Sequence, residues 1–371
     1  MKNKISIPFV DLARQFRSIE PELTQAFHDV GRSGIYIMGE RLSAFERMAS
    51  EFIGTKHAIG VASGADALFL VMKSLGIGPG DEVITAPNSF LASAWTIIAT
   101  GATPVFADVS EDMNIDPAQI RRAITVKTRG IIPVHLTGRP ADMDAINDIA
   151  KEHNLFVLED AAQAIGAKYK GRRVGSLGTA AAFSLHPLKN LGIYGDGGLI
   201  TTDDDELASH LMKIRNHGLI NRDECELWGY NSRLDPMQAA FAEIKLGYLE
   251  KWNERCRSIA RVYRESLNQY VEVPRDHDYE YSVYHNFVIR TDKRPELIKH
   301  LQLLNIDTRI HYPIPIHLQA CASKLGYGLG SFPRTEADAK RILSLPIYPE
   351  LTDEEVAYVA ESVRSYFKRV S

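Results

Sequence analysis

Phe183-Ser184-Leu185-His186-Pro187-Leu188-Lys189-Asn190-Leu191-Gly192, followed at once by Gly195-Asp196-Gly197-Gly198, is the stretch on which the reading of this chain turns. A lysine just past a short apolar run (180–183) and just before a glycine-rich turn stands at the end of a strand, where loops carry chemistry. Upstream, Leu155-Phe156-Val157-Leu158 is a second apolar run, and it ends in Glu159-Asp160-Ala161-Ala162-Gln163-Ala164. A carboxylate at one strand end and an amine beyond another can face each other across one site. That pair suits a cofactor with a carbonyl and a ring nitrogen: the amine makes a Schiff base and the carboxylate holds the nitrogen's proton. Pyridoxal 5'-phosphate is such a cofactor.

Working outward, apolar runs at 57–62, 82–85, 104–107, 130–134, 156–159, 180–184 and 199–202 alternate with helical spacing at 65–74, 92–100 and 142–153. This alternation predicts an α/β fold, a mostly parallel seven-stranded sheet between helices. Beyond about residue 204 the pattern turns helical, with one or two long helices over 235–264. Strand-like runs at 286–289 and 306–310, with helical patterns at 294–304 and 353–367, predict a smaller C-terminal α/β domain. The segment Arg309-Ile310-His311-Tyr312-Pro313-Ile314-Pro315-Ile316-His317 cannot be a regular helix, because its prolines remove donors and fix φ. The expected division is 1–245 for the large domain with an N-terminal arm and 246–371 for the small one.

At 371 residues the chain exceeds what one hydrophobic core usually supports. A net charge of −4 argues against a general nucleic-acid or membrane-surface binder. No apolar stretch approaches the roughly 18 residues of a membrane span. The start, Met1-Lys2-Asn3-Lys4, is basic but runs into Pro8, Asp11 and Arg14, not into an apolar secretory segment. Cys225, Cys256 and Cys321 are scattered and odd in number, which fits neither a disulfide framework nor a metal site and points to a reducing cytoplasm.

Several other residues join the candidate site. Ser63-Gly64-Ala65-Asp66 links a strand to a helix, where free N–H groups bind anions or where Ser63 is simply a helix cap. Phe90, just past the 82–85 run, either stacks on a planar ring or belongs to the core. Asp160 either pairs with a pyridine nitrogen or caps a helix. Gln163, three residues on along the same helical face, would reach a ring hydroxyl.

Together these residues resemble the sugar-nucleotide aminotransferases of the DegT/DnrJ/StrS family, fold type I pyridoxal phosphate enzymes. The likeness runs nearly end to end, through Ile7-Pro8-Phe9, Ser63-Gly64-Ala65-Asp66-Ala67-Leu68, Gly80-Asp81-Glu82-Val83-Ile84, Pro133-Val134-His135-Leu136, Glu159-Asp160-Ala161-Ala162-Gln163 and the Lys189 stretch. It continues in Arg215-Asn216-His217-Gly218, Gly229-Tyr230-Asn231-Ser232-Arg233, Tyr312-Pro313 and Leu345-Pro346-Ile347-Tyr348-Pro349.

The resemblance implies that Lys189 is the Schiff-base lysine and also moves the proton between substrate and cofactor. Burial is expected to depress its pKa. Asp160 would pair with the pyridine nitrogen, Gln163 with the ring hydroxyl, and Gly64, Ala65 and Ser184 with the phosphate, while Phe90 stacks. Asn231 would reach the phosphate of a neighbouring subunit's cofactor, making the active unit a homodimer with shared sites. The implied reaction is transamination of a 3- or 4-keto-deoxy sugar nucleotide with an amino acid donor, L-glutamate by analogy. Arg215, His217, Arg233, Arg309 and His317 are candidates for its anionic diphosphate.

Three positions depart from the family pattern. Ala65 stands where many members have threonine, and Thr137 and Arg139 replace a tyrosine and a glutamine. Arg139 either recognises an anion or pairs with Asp142. Other readings are a related dehydratase, opposed by Lys189 where such enzymes carry histidine, an aminotransferase for a cyclitol ketone, and a non-catalytic regulatory protein that binds the cofactor.

Overall fold

The computed structural model describes residues 6–370; residues 1–5, including the basic Met1-Lys2-Asn3-Lys4, and Ser371 lie outside the described residues. Seven strands form one sheet in the order His57–Val61, Gly198–Thr202, Ala180–Ser184, Phe156–Asp160, Thr128–Ile132, Glu82–Thr85, Thr103–Phe106. All seven expected runs are there, each within two residues of its expected ends. Strands covered by helices on both faces are apolar throughout, and Ala180-Ala181-Ala182-Phe183 is buried end to end. Ala180 and Ala182 face the core that holds Ala67, Leu68 and Val71 of the helix Gly64–Ser74. Ala181 and Phe183, turned the other way by the two-residue period, join Leu246 and Leu249.

Pairing is parallel except along Gly198–Thr202, which runs antiparallel to both neighbours. Parallel neighbours need a long crossover, commonly a helix, to bring the chain back. Between Ser184 and Gly198 there is only the Lys189 loop and its glycine turn, so the chain reverses directly.

The long helical pattern is one helix, Pro236–Leu267. Ala239, Ala242, Leu246 and Leu249 pack on the sheet's core. Cys256, Ile259, Ala260, Tyr263 and Leu267 enter a separate core, built around Phe287–Arg290 paired antiparallel with Ile342–Leu345 and the helices Arg294–Leu303 and Asp353–Val370. The expected boundary at 245/246 therefore falls inside this helix, and Ile7 of the N-terminal arm packs in the second core.

One strand expectation fails. Residues 306–310 make only isolated bridges, Ile306 to Ile7 and Arg309 to Ser344. The partner of Phe287–Arg290 is Ile342–Leu345, buried at every position, whereas 306–310 carries the polar Asp307 and Arg309 and leads into Pro313 and Pro315, which cannot donate to a ladder. Among the described residues no helix is long and apolar enough to cross a membrane, and no three metal-ligating side chains converge.

Candidate active site

Asp160 is the last residue of its strand, 5% exposed. Its Oδ2 accepts from Ser93 Oγ at 2.7 Å and its Oδ1 from the Ala162 N–H at 3.2 Å. Ser93 in turn accepts from Ser89 Oγ at 2.9 Å, a hydroxyl chain aimed at the carboxylate. Burial raises the Asp160 pKa; the Ser93 and Ala162 bonds and the Lys189 charge oppose the rise. A carboxylate in this state gains most from a cationic N–H partner.

No helix follows Asp160: residues 161–167 form turns, so the helix-cap reading and the shared helical face with Gln163 both fall away. Gln163 is placed by its amide. The Thr137 N–H donates to Gln163 Oε1 at 2.7 Å, which leaves the NH2 end facing Tyr312, whose hydroxyl lies 3.4 Å from Nε2. Thr137 holds φ at +61° to make that contact.

Lys189 follows the strand Ala180–Ser184 by five residues, in a turn closed by its own N–H to His186 O at 2.8 Å. Part of the residue reaches solvent, but its amine is desolvated, and burial lowers its pKa to about 8 against the pull of Asp160. His285 and His311 lie close enough to feel the Lys189 charge. Burial pushes both down, His311 to about 4, so both stay neutral. His311 Nδ1 is fixed by Ser344 Oγ at 2.9 Å.

The expected phosphate end has a tight geometry. Gly64 opens the helix Gly64–Ser74, and a Cβ on it would sit 2.8 Å from Ser184 Cβ. The helix's free N–H groups are thereby brought beside the Ser184 hydroxyl, an arrangement that suits a dianion. Ser63 also caps this helix, accepting from the Asp66 N–H at 3.0 Å, so the cap and the anion readings hold together. Phe90 is 58% exposed, its ring 6.0 Å from that of Tyr312, and it is no core residue.

Of the candidates for an anionic substrate, Asn231, His217 and Arg233 gather on one edge. Asn231 is exposed and bridges Asn216, His217 is exposed at φ +61°, and Arg233 donates to Asn216 Oδ1 at 2.8 Å. Arg309 is exposed and paired with Asp307 at 2.7 Å. Two expectations need correction. Arg215 is 4% exposed and binds Glu46 and Gly60 O inside the protein. His317 is 2% exposed, with Nε2 on Glu336 at 3.1 Å. Neither side chain is exposed to meet a ligand. Arg139 is also structural, but its partner is Glu280 at 2.9 Å, not Asp142, whose Oδ1 accepts from Tyr169. A groove of about 1300 Å³, lined by residues including Arg139, Asn286 and Arg334, contains none of Lys189, Asp160, Gly64 or Ser184.

Residues 17–364 match the DegT/DnrJ/EryC1/StrS aminotransferase family. The chain belongs to it. A Geobacillus stearothermophilus member, named a pleiotropic regulatory protein, is 45% identical over 98% of this chain and 99% of its own. A Streptomyces venezuelae member, dTDP-3-amino-3,4,6-trideoxy-alpha-D-glucose transaminase, is 44% identical over 98% of this chain and 97% of its own. The structure of S. venezuelae DesV in complex with a ketimine intermediate superposes with a TM-score of 0.97 at 44% identity, covering 99% of this chain and 100% of that one. Bacillus subtilis ntda, with bound cofactor PMP, superposes at 0.92 with 31% identity over 99% of this chain and 87% of its own. The sheet and its two flanking cores are thus the fold type I architecture of this aminotransferase family.

Reading the sequence did not find Ser93, Tyr312, His285 or His311 as site residues. Ser93 sits in an ordinary-looking helix, Ala92–Thr100, and its partner is 67 residues away. Tyr312 and His311 carried a usable signal, since their segment is irregular and rich in polar and aromatic side chains.

Proposed function

We propose that this chain transfers an amino group from an amino acid, L-glutamate, to the ketone of a 3- or 4-keto-deoxy sugar nucleotide, using pyridoxal 5'-phosphate, as a homodimer in the cytoplasm. The observation that carries the reading is the desolvated Lys189 amine close enough to feel the charge of the buried Asp160 carboxylate, each at the end of a sheet strand or just past one. The residues present fit the cofactor: Asp160 for the ring nitrogen, Gln163 Nε2 for the ring hydroxyl, and the Gly64 and Ala65 N–H groups with Ser184 Oγ for the phosphate. When bound, pyridoxal phosphate supplies a reactive aldehyde and a ring that takes up electrons.

With a pKa of about 8, Lys189 is partly neutral near pH 7 and can attack a carbonyl carbon or take a proton from a substrate carbon. Asp160 would stay anionic against a cation and would hold the ring nitrogen's proton. Phe90, exposed beside Tyr312, would stack on the ring. Arg233, His217 and Arg309 offer cationic or donor groups to a diphosphate. Relatives named for dTDP- and UDP-sugar transamination support the substrate class. Ile35, Tyr36 and Ile37 are each more than half exposed, an apolar surface that a second copy would cover, and exposed Asn231 is available to that copy's cofactor phosphate. The separate cores support two lobes joined through the long helix, close to the expected 1–245 and 246–371 but with Leu246 and Leu249 still on the sheet's side.

The name of the Geobacillus relative favours a second reading, a regulatory protein that binds the cofactor without turnover. One experiment separates the two: the visible absorbance of the protein with pyridoxal phosphate, before and after L-glutamate, in wild type and Lys189→Ala. Transamination predicts a band that bleaches with glutamate, returns with a keto-sugar nucleotide, and is missing in the variant. A band indifferent to every donor supports the regulatory reading, and no band at all overturns both.

A further inference from the structure

Asn253 lies on the helix Pro236–Leu267, 2% exposed, and its amide touches both loops of the site. Nδ2 donates to Ile165 O at 3.0 Å, and Oδ1 accepts from Asn190 Nδ2 at 2.8 Å. Ile165 is two residues past Gln163 and five past Asp160; Asn190 is the neighbour of Lys189. Asn190 spends its second N–H on Val283 O at 3.2 Å. The amide's orientation is determined by these partners, because a flip would set donor against donor and acceptor against acceptor. The loop is closed down on it: a Cβ on Gly166 would come within 2.6 Å of Asn253 Nδ2.

We infer that Asn253 is a positioning residue that keeps the loop carrying Asp160 and Gln163 in register with the turn carrying Lys189. The sheet cannot do this alone. Its ladder between the two strands ends at Asp160 opposite Ala182, with one further bond from the Ala161 N–H to Ala182 O. Lys189 lies seven residues beyond Ala182, and among the described residues its amine donates no hydrogen bond of its own. Past the end of the ladder, a buried side-chain bridge from a long helix supplies the alignment. The same helix holds the far end of the turn, where Lys245 Nζ donates to Gly192 O at 2.6 Å. An amide suits this task because one planar group donates to one loop and accepts from the other with no charge to desolvate.

The inference rests on the transaminase reading, and its test uses the complete protein loaded with pyridoxal phosphate. In Asn253→Ala, kcat is expected to fall by about ten- to a hundredfold, the scale of an ångström-sized misplacement, with KM for the donor within about twofold. The pH at which the Lys189-dependent visible band titrates is expected to move, since the lysine's surroundings change. Asn190→Ala removes one arm of the bridge and should move the same midpoint in the same direction; it serves if Asn253→Ala does not fold. The double variant should lose less than the product of the two single losses, as residues acting through one link do. A wild-type band midpoint and wild-type kcat per folded molecule in both variants would overturn the inference, even if both melt earlier. Absence of the band in the wild type would instead overturn the transaminase reading.

Discussion

Ser93 donates its hydroxyl to Asp160 Oδ2 across 2.7 Å, with both residues out of contact with bulk water. In Ser93→Ala the carboxylate keeps only the Ala162 N–H at 3.2 Å, and burial raises its pKa further. A hydrogen bond to a charged group contributes about 1.5–3 kcal/mol. Equilibrium titration with pyridoxal phosphate should therefore show affinity weakened by about ten- to a hundredfold. An unchanged dissociation constant would count against Asp160 as the ring nitrogen's partner.

The depressed Lys189 pKa sets a pH dependence. Desolvation favours the neutral amine, so reactivity rises with pH and levels off above about pH 8. At pH 7 roughly a tenth of the amine is neutral, against well under about a thousandth at the usual lysine value. The rate at which cofactor-free protein takes up pyridoxal phosphate should have its midpoint near pH 8. A midpoint near that of an ordinary lysine would show that the amine is solvated.

At the phosphate end, two neighbouring substitutions should act in opposite directions. Gly64→Ala places a methyl 2.8 Å from Ser184 Cβ and forces helix and strand apart; cofactor affinity should fall at least about tenfold. Ala65→Thr adds a hydroxyl at the helix start. One new hydrogen bond of about 0.5–1.5 kcal/mol should tighten binding several-fold. Both are read from the same binding titration.

Arg139 sits 2.9 Å from Glu280, whose side chain is 2% exposed. Taking one member from a buried pair strands the other's charge and costs about 3–5 kcal/mol. Arg139→Ala should lower the urea midpoint accordingly while leaving KM for the sugar nucleotide unchanged on folded protein. A raised KM with unchanged stability would restore Arg139 as a substrate contact.

The parts of the fold legible in the sequence are those governed by local periodicity. The 180–184 and 82–85 runs are strands at the expected residues because apolar residues of strand length between turn signals have few other uses. What stayed hidden depends on distant partners. Nothing local marks Gly198–Thr202 as the antiparallel strand, since its direction follows from the missing crossover. Arg215 and His317 looked like anion binders because side-chain charge is visible in a sequence, while Glu46 and Glu336, which claim them, are 169 and 19 residues away. Lys189, Asp160, Gln163 and Gly64 could be singled out as candidates because each stands in a short motif at a strand end. Their supports lie on helices without such a mark, Ser93 in the first turn of Ala92–Thr100 and Asn253 in the middle of Pro236–Leu267.

The helix Pro236–Leu267 runs unbroken for about 48 Å, at about 1.5 Å per residue. It leaves no hinge where the chain passes from one core to the other, and the second part of the molecule is also laced to the first. Ile316 N–H donates to Pro87 O at 2.8 Å, and Thr335 binds Asp108 through both its N–H and its hydroxyl. The spacing between the two cores is thus set before any substrate arrives. Discrimination among sugars falls to the side chains carried on the exposed loops, and a descendant of this chain would change its preference by exchanging those, with the frame beneath left as it is.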